Sequence, residues 1–92
     1  MKARGVYMIS VVSEMLDLHP QTIRQYERMG LLKPARTDGN KRRYSDDDVE
    51  RLRYVLKLTR EMGINIAGVE MIIGMQEHIL RLEQQLEELT NH

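Results

Sequence analysis

The chain has 92 residues, which is enough for about one small domain. It contains no cysteine, which excludes disulfides, thiolate metal sites and cysteine nucleophiles, and it has no formal net charge at pH 7. It contains no apolar run near the roughly 20 residues of a membrane span and no signal-peptide pattern, so we expect a cytoplasmic protein. Residues 1–60 carry 13 Lys/Arg against eight Asp/Glu, whereas residues 61–92 carry one against six, which predicts a polyanionic partner for the basic part only.

Two short helices joined by a tight turn are predicted near the N-terminus. Ser10 suits the position that caps a helix, so the first helix is expected over 11–17. Pro20 suits the first helical position and Gly30 the left-handed residue that follows a helix, which predicts a second helix over 20–29. The connection between them is so short that the helices must cross sharply, and this is the helix-turn-helix pattern.

A small two-stranded β hairpin is predicted next. Residues 31–36 form an extended arm that contains Pro34, which is unable to continue a helix. The pair Asp38-Gly39 is a strong hairpin-turn signal, and residues 41–44 are the expected return strand. A hairpin that follows a helix-turn-helix is called a wing.

A third helix is predicted from Ser45, which can cap it, to Gly63, which ends it. Three aspartates in its first turn are explained by the positive end of the helix dipole. Asn65 can cap a short fourth helix over 66–73, and Gly74 predicts a break or bend. The expected buried stripe of the third helix is Val49, Leu52, Val55, Leu56, Thr59 and Met62.

The C-terminal segment has the heptad pattern of a coiled coil. Its apolar residues recur at alternating steps of three and four, and acidic and amide residues flank them. We expect this seam to pair with a second copy and form a homodimer; folding back on its own domain is the alternative. The seam consists of Ile72, Met75, Ile79, Leu82, Leu86 and Leu89.

Two basic surfaces point to DNA. The wing carries Lys41, Arg42 and Arg43, cations that attract phosphates, although a solvated basic loop is the alternative reading of this run alone. The second helix carries on its exposed side residue types that contact bases or phosphates in the major groove. These are Gln21, Thr22, Arg24, Gln25 and Arg28, whereas Ile23 and part of Tyr26 are expected to pack inward.

The stretch HPQTIRQYERMGLLKPARTDGNKRRYSDDDVERLRYVLKL resembles the DNA-binding domain of the MerR family of bacterial transcription regulators. The resemblance covers about residues 7–73 and includes the IRxYExxGLL stretch, the RxY end of the wing and the S-x-x-D-V helix start. It implies that Gln21, Thr22, Arg24 and Gln25 enter the major groove. It also implies backbone or minor-groove contacts by Tyr26, Arg36, Arg42 and Tyr44, and binding of a homodimer to an inverted repeat.

The amino-acid sequence is similar to that of the heat-shock repressors of this family, which implies repression of chaperone operons with the chaperone DnaK as co-repressor. Glutamine-responsive regulators of the same family are the alternative, as is a coiled-coil adaptor that recruits a protein partner. No catalytic constellation is evident, so an enzyme is not expected.

The predicted fold is mainly α. It has a winged helix-turn-helix DNA-binding domain with a small two-stranded β wing over 1–73, followed by a C-terminal coiled-coil dimerisation helix over 74–92. The three histidines, His19, His78 and His92, are far apart, so neither a metal site nor a cofactor is expected, and too little chain remains for a small-molecule pocket.

Overall fold

Helices dominate the protein. The computed structural model describes residues 7–36 and 41–91, and the predicted mainly α class with a long C-terminal helix is confirmed. Within these two ranges no helix is both long and apolar enough to cross a membrane. The elements in chain order are α1 (Ile9–Leu16), α2 (Pro20–Arg28), β1 (Ala35–Arg36), β2 (Arg42–Arg43), α3 (Asp46–Leu56), a π-helical turn (Lys57–Glu61) and α4 (Ile66–Thr90).

Helix α1 begins earlier than predicted. Its cap is Met8, which makes no side-chain capping bond, and Ser10 lies inside the helix. The Met8 carbonyl accepts hydrogen bonds from the amides of Val11 and Val12. Just before it, the backbone of Tyr7 is held in a β pairing. This pairing fixes where the extended chain turns into a helix, so the prediction of Ser10 as the cap was wrong.

The turn between α1 and α2 is fixed by side chains as well as by backbone. Asp17 ends α1 in a left-handed conformation with φ of 50°. The Ser13 hydroxyl donates to the Leu18 carbonyl over 2.6 Å, and Arg60 Nη2 donates to the Asp17 carbonyl over 2.9 Å. Carbonyls that the end of α1 leaves unpaired are therefore satisfied, and the crossing of the two helices is set.

Helix α2 has the limits expected from the sequence to within one residue. His19 caps it, because its Nδ1 accepts a hydrogen bond from the Gln21 amide over 3.0 Å, and Pro20 occupies the first position. Gly30 follows the helix with φ of 82°, a conformation that side chains with a Cβ rarely adopt.

The two short strands pair antiparallel over two residues each, with Ala35 opposite Arg43 and Arg36 opposite Arg42. Beyond β2, the backbones of Tyr7 and Tyr44 exchange hydrogen bonds of 2.9 and 2.8 Å. The expected turn over 37–40 lies outside the described residues. A complete wing therefore stays a prediction.

Helix α3 begins with the capping box that the serine and aspartates allow. The Asp48 amide donates to the Ser45 hydroxyl, and the Ser45 amide donates to the Asp48 carboxylate, at 3.1 and 2.9 Å. The helix then passes into a π-helical turn, which the sequence did not predict. The wider turn rotates the buried face, so Leu58 is buried whereas Met62 is 61% exposed. The expected burial of Met62 was wrong.

Helix α4 is continuous over 25 residues and passes through Gly74. Asn65 caps it, as predicted, by accepting a hydrogen bond from the Gly68 amide over 2.8 Å. A glycine inside a helix costs about 1 kcal/mol relative to alanine, which a long helix tolerates, so the predicted break at Gly74 was wrong. The division at 73/74 therefore coincides with no helix end, and it stays a prediction.

One hydrophobic core joins the helices and includes Tyr44, which follows β2. It draws on every helix and on the segment after α2, while the second half of α4 contributes nothing to it. The buried residues are Val12, Leu16, Leu18, Ile23, Tyr26, Leu31, Leu32, Tyr44, Val49, Leu52, Val55, Leu58, Val69 and Ile73.

Candidate nucleic-acid interface

Helix α2 presents a polar face to the solvent. Gln21, Gln25 and Arg28 are exposed, and Thr22 and Arg24 are partly exposed. At 3.6 residues per turn, the positions 21, 24, 25 and 28 fall within an arc of about 100°, opposite the buried positions 23 and 26. The structure therefore brings the predicted major-groove residues together on one surface. We call Gln21, Thr22, Arg24, Gln25 and Arg28 the α2 face.

The two tyrosines predicted to contact DNA are core residues in the structure. Tyr26 is 8% exposed and Tyr44 is 0% exposed. Tyr44 has no surface to offer a phosphate in this conformation, and Tyr26 has little. Tyr44 follows β2 in an extended bridge with Tyr7, and neighbouring residues of an extended chain point to opposite sides, so its ring lies on the core side while Arg43 lies on the other. Both tyrosines support the α2 face from beneath, and we leave them out of the interface proposed below.

Strand β2 lies beside α2 and is linked to it by an ion pair. Arg42 Nε donates to Glu27 Oε2 over 2.6 Å, and the side chains are 35% and 15% exposed, respectively. This hydrogen bond raises the pKa of the Arg42 guanidinium above its ordinary value. Arg43 is partly exposed and Lys41 is exposed. The side chain of Arg36 lies outside the described part of the chain.

Charged side chains of both α2 and β2 lie near Tyr44. Burial, followed by the negative charge of Glu27, raises the pKa of Tyr44 to about 12, and the nearby positive charges of Arg42 and Arg24 act in the opposite direction. The hydroxyl is therefore neutral at physiological pH. The same charges connect α2 and β2 electrostatically, so the two basic surfaces are parts of one side of the molecule.

The predicted dimerisation seam is exposed in the single chain, except at its start. Ile72 is partly buried against the core. The remaining five residues of the seam are between about half and three-quarters exposed: Met75 54%, Ile79 55%, Leu82 49%, Leu86 62% and Leu89 75%. A run of large apolar side chains of this kind is typical of an interface between protein surfaces.

Two residues of structural importance for this surface were missed in the sequence. Glu27 pairs with Arg42, and Arg60 holds the helix-turn-helix connection through the carbonyls of Leu16 and Asp17. Nothing in the local pattern identifies Arg60, because its partners lie more than 40 residues away. Glu27 lies inside the stretch that resembles the family, but it was not singled out because a negative charge is not expected of a DNA-binding residue. Among the residues described, no group of His, Cys, Asp and Glu could hold a metal ion.

The sequence model of the MerR HTH family regulatory proteins matches residues 7–76 of the chain. A protein that bears the name heat shock protein HspR, from Streptomyces coelicolor, is 48% identical over 85 residues, which make up 92% of this chain and 56% of that protein. The transcriptional regulator GlnR of Bacillus anthracis is 30% identical over 92 residues, covering 97% of this chain and 70% of its own length.

The transcriptional regulator MlrA of Escherichia coli is 38% identical over 71 residues, 76% of this chain and 29% of its own. The chain thus spans little more than half of the HspR relative and a smaller part of MlrA. The matched region contains α1 to α3, the paired strands and the first part of α4. From this match we conclude that the chain belongs to the MerR family of helix-turn-helix regulatory proteins.

Proposed function

We propose that this protein is a sequence-specific DNA-binding regulator of transcription that acts as a repressor. The observation that carries the proposal is the α2 face, in which amide and guanidinium groups share one exposed arc of a helix and the Thr22 hydroxyl lies beside it. Glutamine and arginine side chains have the paired donors and acceptors that read adenine and guanine in the major groove. A helix of the helix-turn-helix type presents such groups at the depth of the groove.

The basic strand β2 supplies the second contact in this proposal. Lys41, Arg42 and Arg43 would meet phosphates beside the major-groove site, as the wing of a winged helix-turn-helix protein does. Phosphate contacts set the position of the protein on the duplex but carry no base information, so β2 contributes affinity and α2 contributes specificity. Binding is then expected to weaken steeply as the salt concentration rises.

In this proposal, pairing through the seam of α4 produces a two-fold symmetric dimer. A homodimer formed through Ile72, Met75, Ile79, Leu82, Leu86 and Leu89 would place two α2 faces on one duplex, one for each half of an inverted repeat. Burying the five exposed apolar residues of the seam provides the driving force. The acidic and amide residues that flank the seam are compatible with its exposure to solvent on the outer side.

The proposed targets are heat-shock or chaperone operons, with DnaK as the co-repressor. The support is the identity of 48% with the protein named heat shock protein HspR and the resemblance of the α2 region to heat-shock repressors. A nitrogen- or glutamine-responsive role is the second candidate, and the observation that favours it is the 30% identity with GlnR over nearly the whole chain.

Titration of the purified protein into two labelled duplexes tests the proposal. One duplex carries the inverted repeat upstream of the host operon that encodes DnaK, and the other carries the same bases scrambled. We expect two protein chains per repeat duplex, tighter binding to the repeat, and a further gain in affinity when DnaK is added. Equal binding to both duplexes with the same salt slope would contradict sequence-specific recognition.

Charge reversal distinguishes DNA binding from a role as a coiled-coil adaptor. Arg24→Glu, on the α2 face, is expected to weaken binding to the repeat at least about tenfold, since one phosphate or base contact becomes a repulsion. Arg81→Glu, far along α4, is the matched control and should change the affinity little. Both variants should keep the dimeric mass of the wild type in sedimentation. Unchanged DNA affinity of Arg24→Glu would favour the adaptor.

A further inference from the structure

The Arg42 guanidinium contacts Glu27 through its Nε edge. Its Nε–H donates to Glu27 on α2 over 2.6 Å, and a guanidinium group has five N–H donors in a fixed planar fork. Among the side chains of residues 7–35 and 41–91, Glu27 is the hydrogen-bond partner of the Arg42 guanidinium. Because the fork is planar and rigid, fixing the Nε edge fixes the direction of the two terminal nitrogens.

The position of Arg42 in the ladder makes a counter-charge necessary. Arg42 stands opposite Arg36 in register, and Arg43 is its neighbour along β2. Like charges directly opposite each other in a ladder destabilise it. The Glu27 carboxylate is mostly buried at this point, with 15% of its side chain exposed. It therefore lies where it offsets the charge of Arg42 and ties β2 to α2.

We propose that Glu27 is a positioning residue for DNA binding: through Arg42 it holds β2 at a fixed distance from the α2 face and aims the terminal nitrogens of Arg42 at the phosphate backbone. This inference rests on the proposed DNA-binding function and deepens it. Glu27 itself contacts no DNA. It couples the element that reads bases to the element that binds phosphates, so that both engage one duplex in register.

The sign of the effect separates this proposal from a simple charge argument. A carboxylate beside a DNA-binding surface repels phosphates, so its removal alone should strengthen binding. If Glu27 positions Arg42, its removal should weaken binding in spite of the lost repulsion. The two expectations are opposite in direction, and one measurement of affinity decides between them.

The experiment compares Glu27→Gln with the wild type on the repeat duplex and on the scrambled duplex, across a salt series. Glutamine keeps the size and removes the charge. We expect an affinity about fivefold lower for the repeat, corresponding to one misaligned charge-assisted contact. The slope of log K against log salt should fall by about 0.9, the value for one phosphate contact. Glu70→Gln, an exposed glutamate on α4, is the matched control and should change neither quantity.

A double-mutant cycle with Arg42→Gln completes the test. The loss caused by Glu27→Gln should vanish in the Arg42→Gln background, because the positioned group is then absent. In the free protein, the Arg42 Nε–H signal in NMR spectra should be protected from solvent exchange in the wild type and lose this protection in Glu27→Gln. This readout depends on the ion pair and not on DNA.

The outcomes are distinct. Affinity that is equal or higher in Glu27→Gln, or a loss that persists without Arg42, would overturn the positioning role while leaving DNA binding intact. A wild-type protein that binds the repeat and the scrambled duplex equally would refute sequence-specific recognition, but the salt slopes of the variants would still test the role of Glu27. A wild-type protein that binds neither duplex would overturn both proposals.

Discussion

Tyr44 shows how one side chain can look functional in the sequence and be structural in the fold. It closes the basic run Lys41, Arg42, Arg43, and the resemblance to the family implied a contact with DNA. The structure buries its ring completely, and its hydroxyl finds no hydrogen-bond partner among the residues described. The backbone bridge to Tyr7 places Tyr44 on the side of the core, and a pairing with a residue 37 positions earlier in the chain cannot be read from the local sequence.

The buried hydroxyl predicts a loss of stability in alkali. The pKa of Tyr44 is raised to about 12, mainly by burial, whereas an unfolded tyrosine titrates near 10. Below pH 10 the hydroxyl is neutral in both states and the stability is fully present. As the pH rises from 10 to 12, only the unfolded chain ionises at this residue, and the free energy of unfolding falls.

The variant Tyr44→Phe is therefore expected to be less sensitive to alkali than the wild type. It removes the titrating group and a hydroxyl without a partner, so the free energy of unfolding at pH 7 should change by less than about 1 kcal/mol. Urea unfolding followed by circular dichroism at pH 7, 10 and 11.5 gives the comparison, and affinity for the repeat should stay within about twofold. An identical pH dependence in both proteins would refute this explanation.

At the scale of elements, the sequence predicted best those features that depend on near neighbours. The cap at Ser45, the cap at Asn65 and the left-handed Gly30 were all predicted, because each depends on backbone groups within a few residues. The α2 face was predicted for the same reason, since helical spacing determines which side chains share a side.

Features set by distant contacts were missed. The π-helical turn Lys57–Glu61 carries no local signal, and it moves the buried face from the predicted Met62 to Leu58. The same segment brings Arg60 to the end of α1, where it binds the carbonyls of Leu16 and Asp17. The break predicted at Gly74 was wrong because a glycine weakens a helix without ending it. At these positions tertiary contacts, and not local propensities, determine the backbone conformation and which side chains are buried.

The seam of α4 is the element whose role can be tested most directly. Leu82 lies in its middle and is 49% exposed in the single chain. In a dimer this position is enclosed, so Leu82→Asp would bury a charge without a partner, which is costly. We expect this variant to sediment as a monomer at micromolar concentration and to lose most of its affinity for the two-half-site repeat.

Gln84→Asp is the matched control for Leu82→Asp, because it adds the same charge to the same helix outside the seam. It should keep the dimeric mass and the affinity. Analytical ultracentrifugation of both variants and of the wild type supplies the comparison. A wild-type protein that sediments as a monomer would contradict the seam as a dimer interface.

At the scale of the whole molecule, the direction of α4 relative to the rest of the domain would determine how far apart the two α2 faces of the proposed dimer lie. Besides its buried residues Val69 and Ile73, α4 contacts α3 through two polar links. Gln76 Nε2 donates to the Tyr54 hydroxyl over 2.6 Å, and Arg51 forms an ion pair with Glu77 at 3.7 Å. Both lie just beyond the core and close to the start of the exposed seam.

These links are expected to set the preferred spacing between half-sites. Each exposed link contributes only about 0.2–1 kcal/mol, so its loss should not unfold the protein. A change in the direction of α4, however, moves the two α2 faces relative to each other. One base pair shifts a half-site by about 3.4 Å and about 34° around the duplex, so a dimer with a firmly held α4 should discriminate strongly between spacers.

The double variant Tyr54→Phe, Gln76→Ala tests this expectation on repeats whose spacer is shortened or lengthened by one and two base pairs. We expect its affinity for the best spacer to fall less than about fivefold. The ratio of this affinity to the affinities for the neighbouring spacer lengths should also fall. Gln84→Ala, on the solvent side of α4, should keep the wild-type preference. If the double variant loses affinity equally for every spacer, the Gln76–Tyr54 hydrogen bond stabilises the domain without orienting α4.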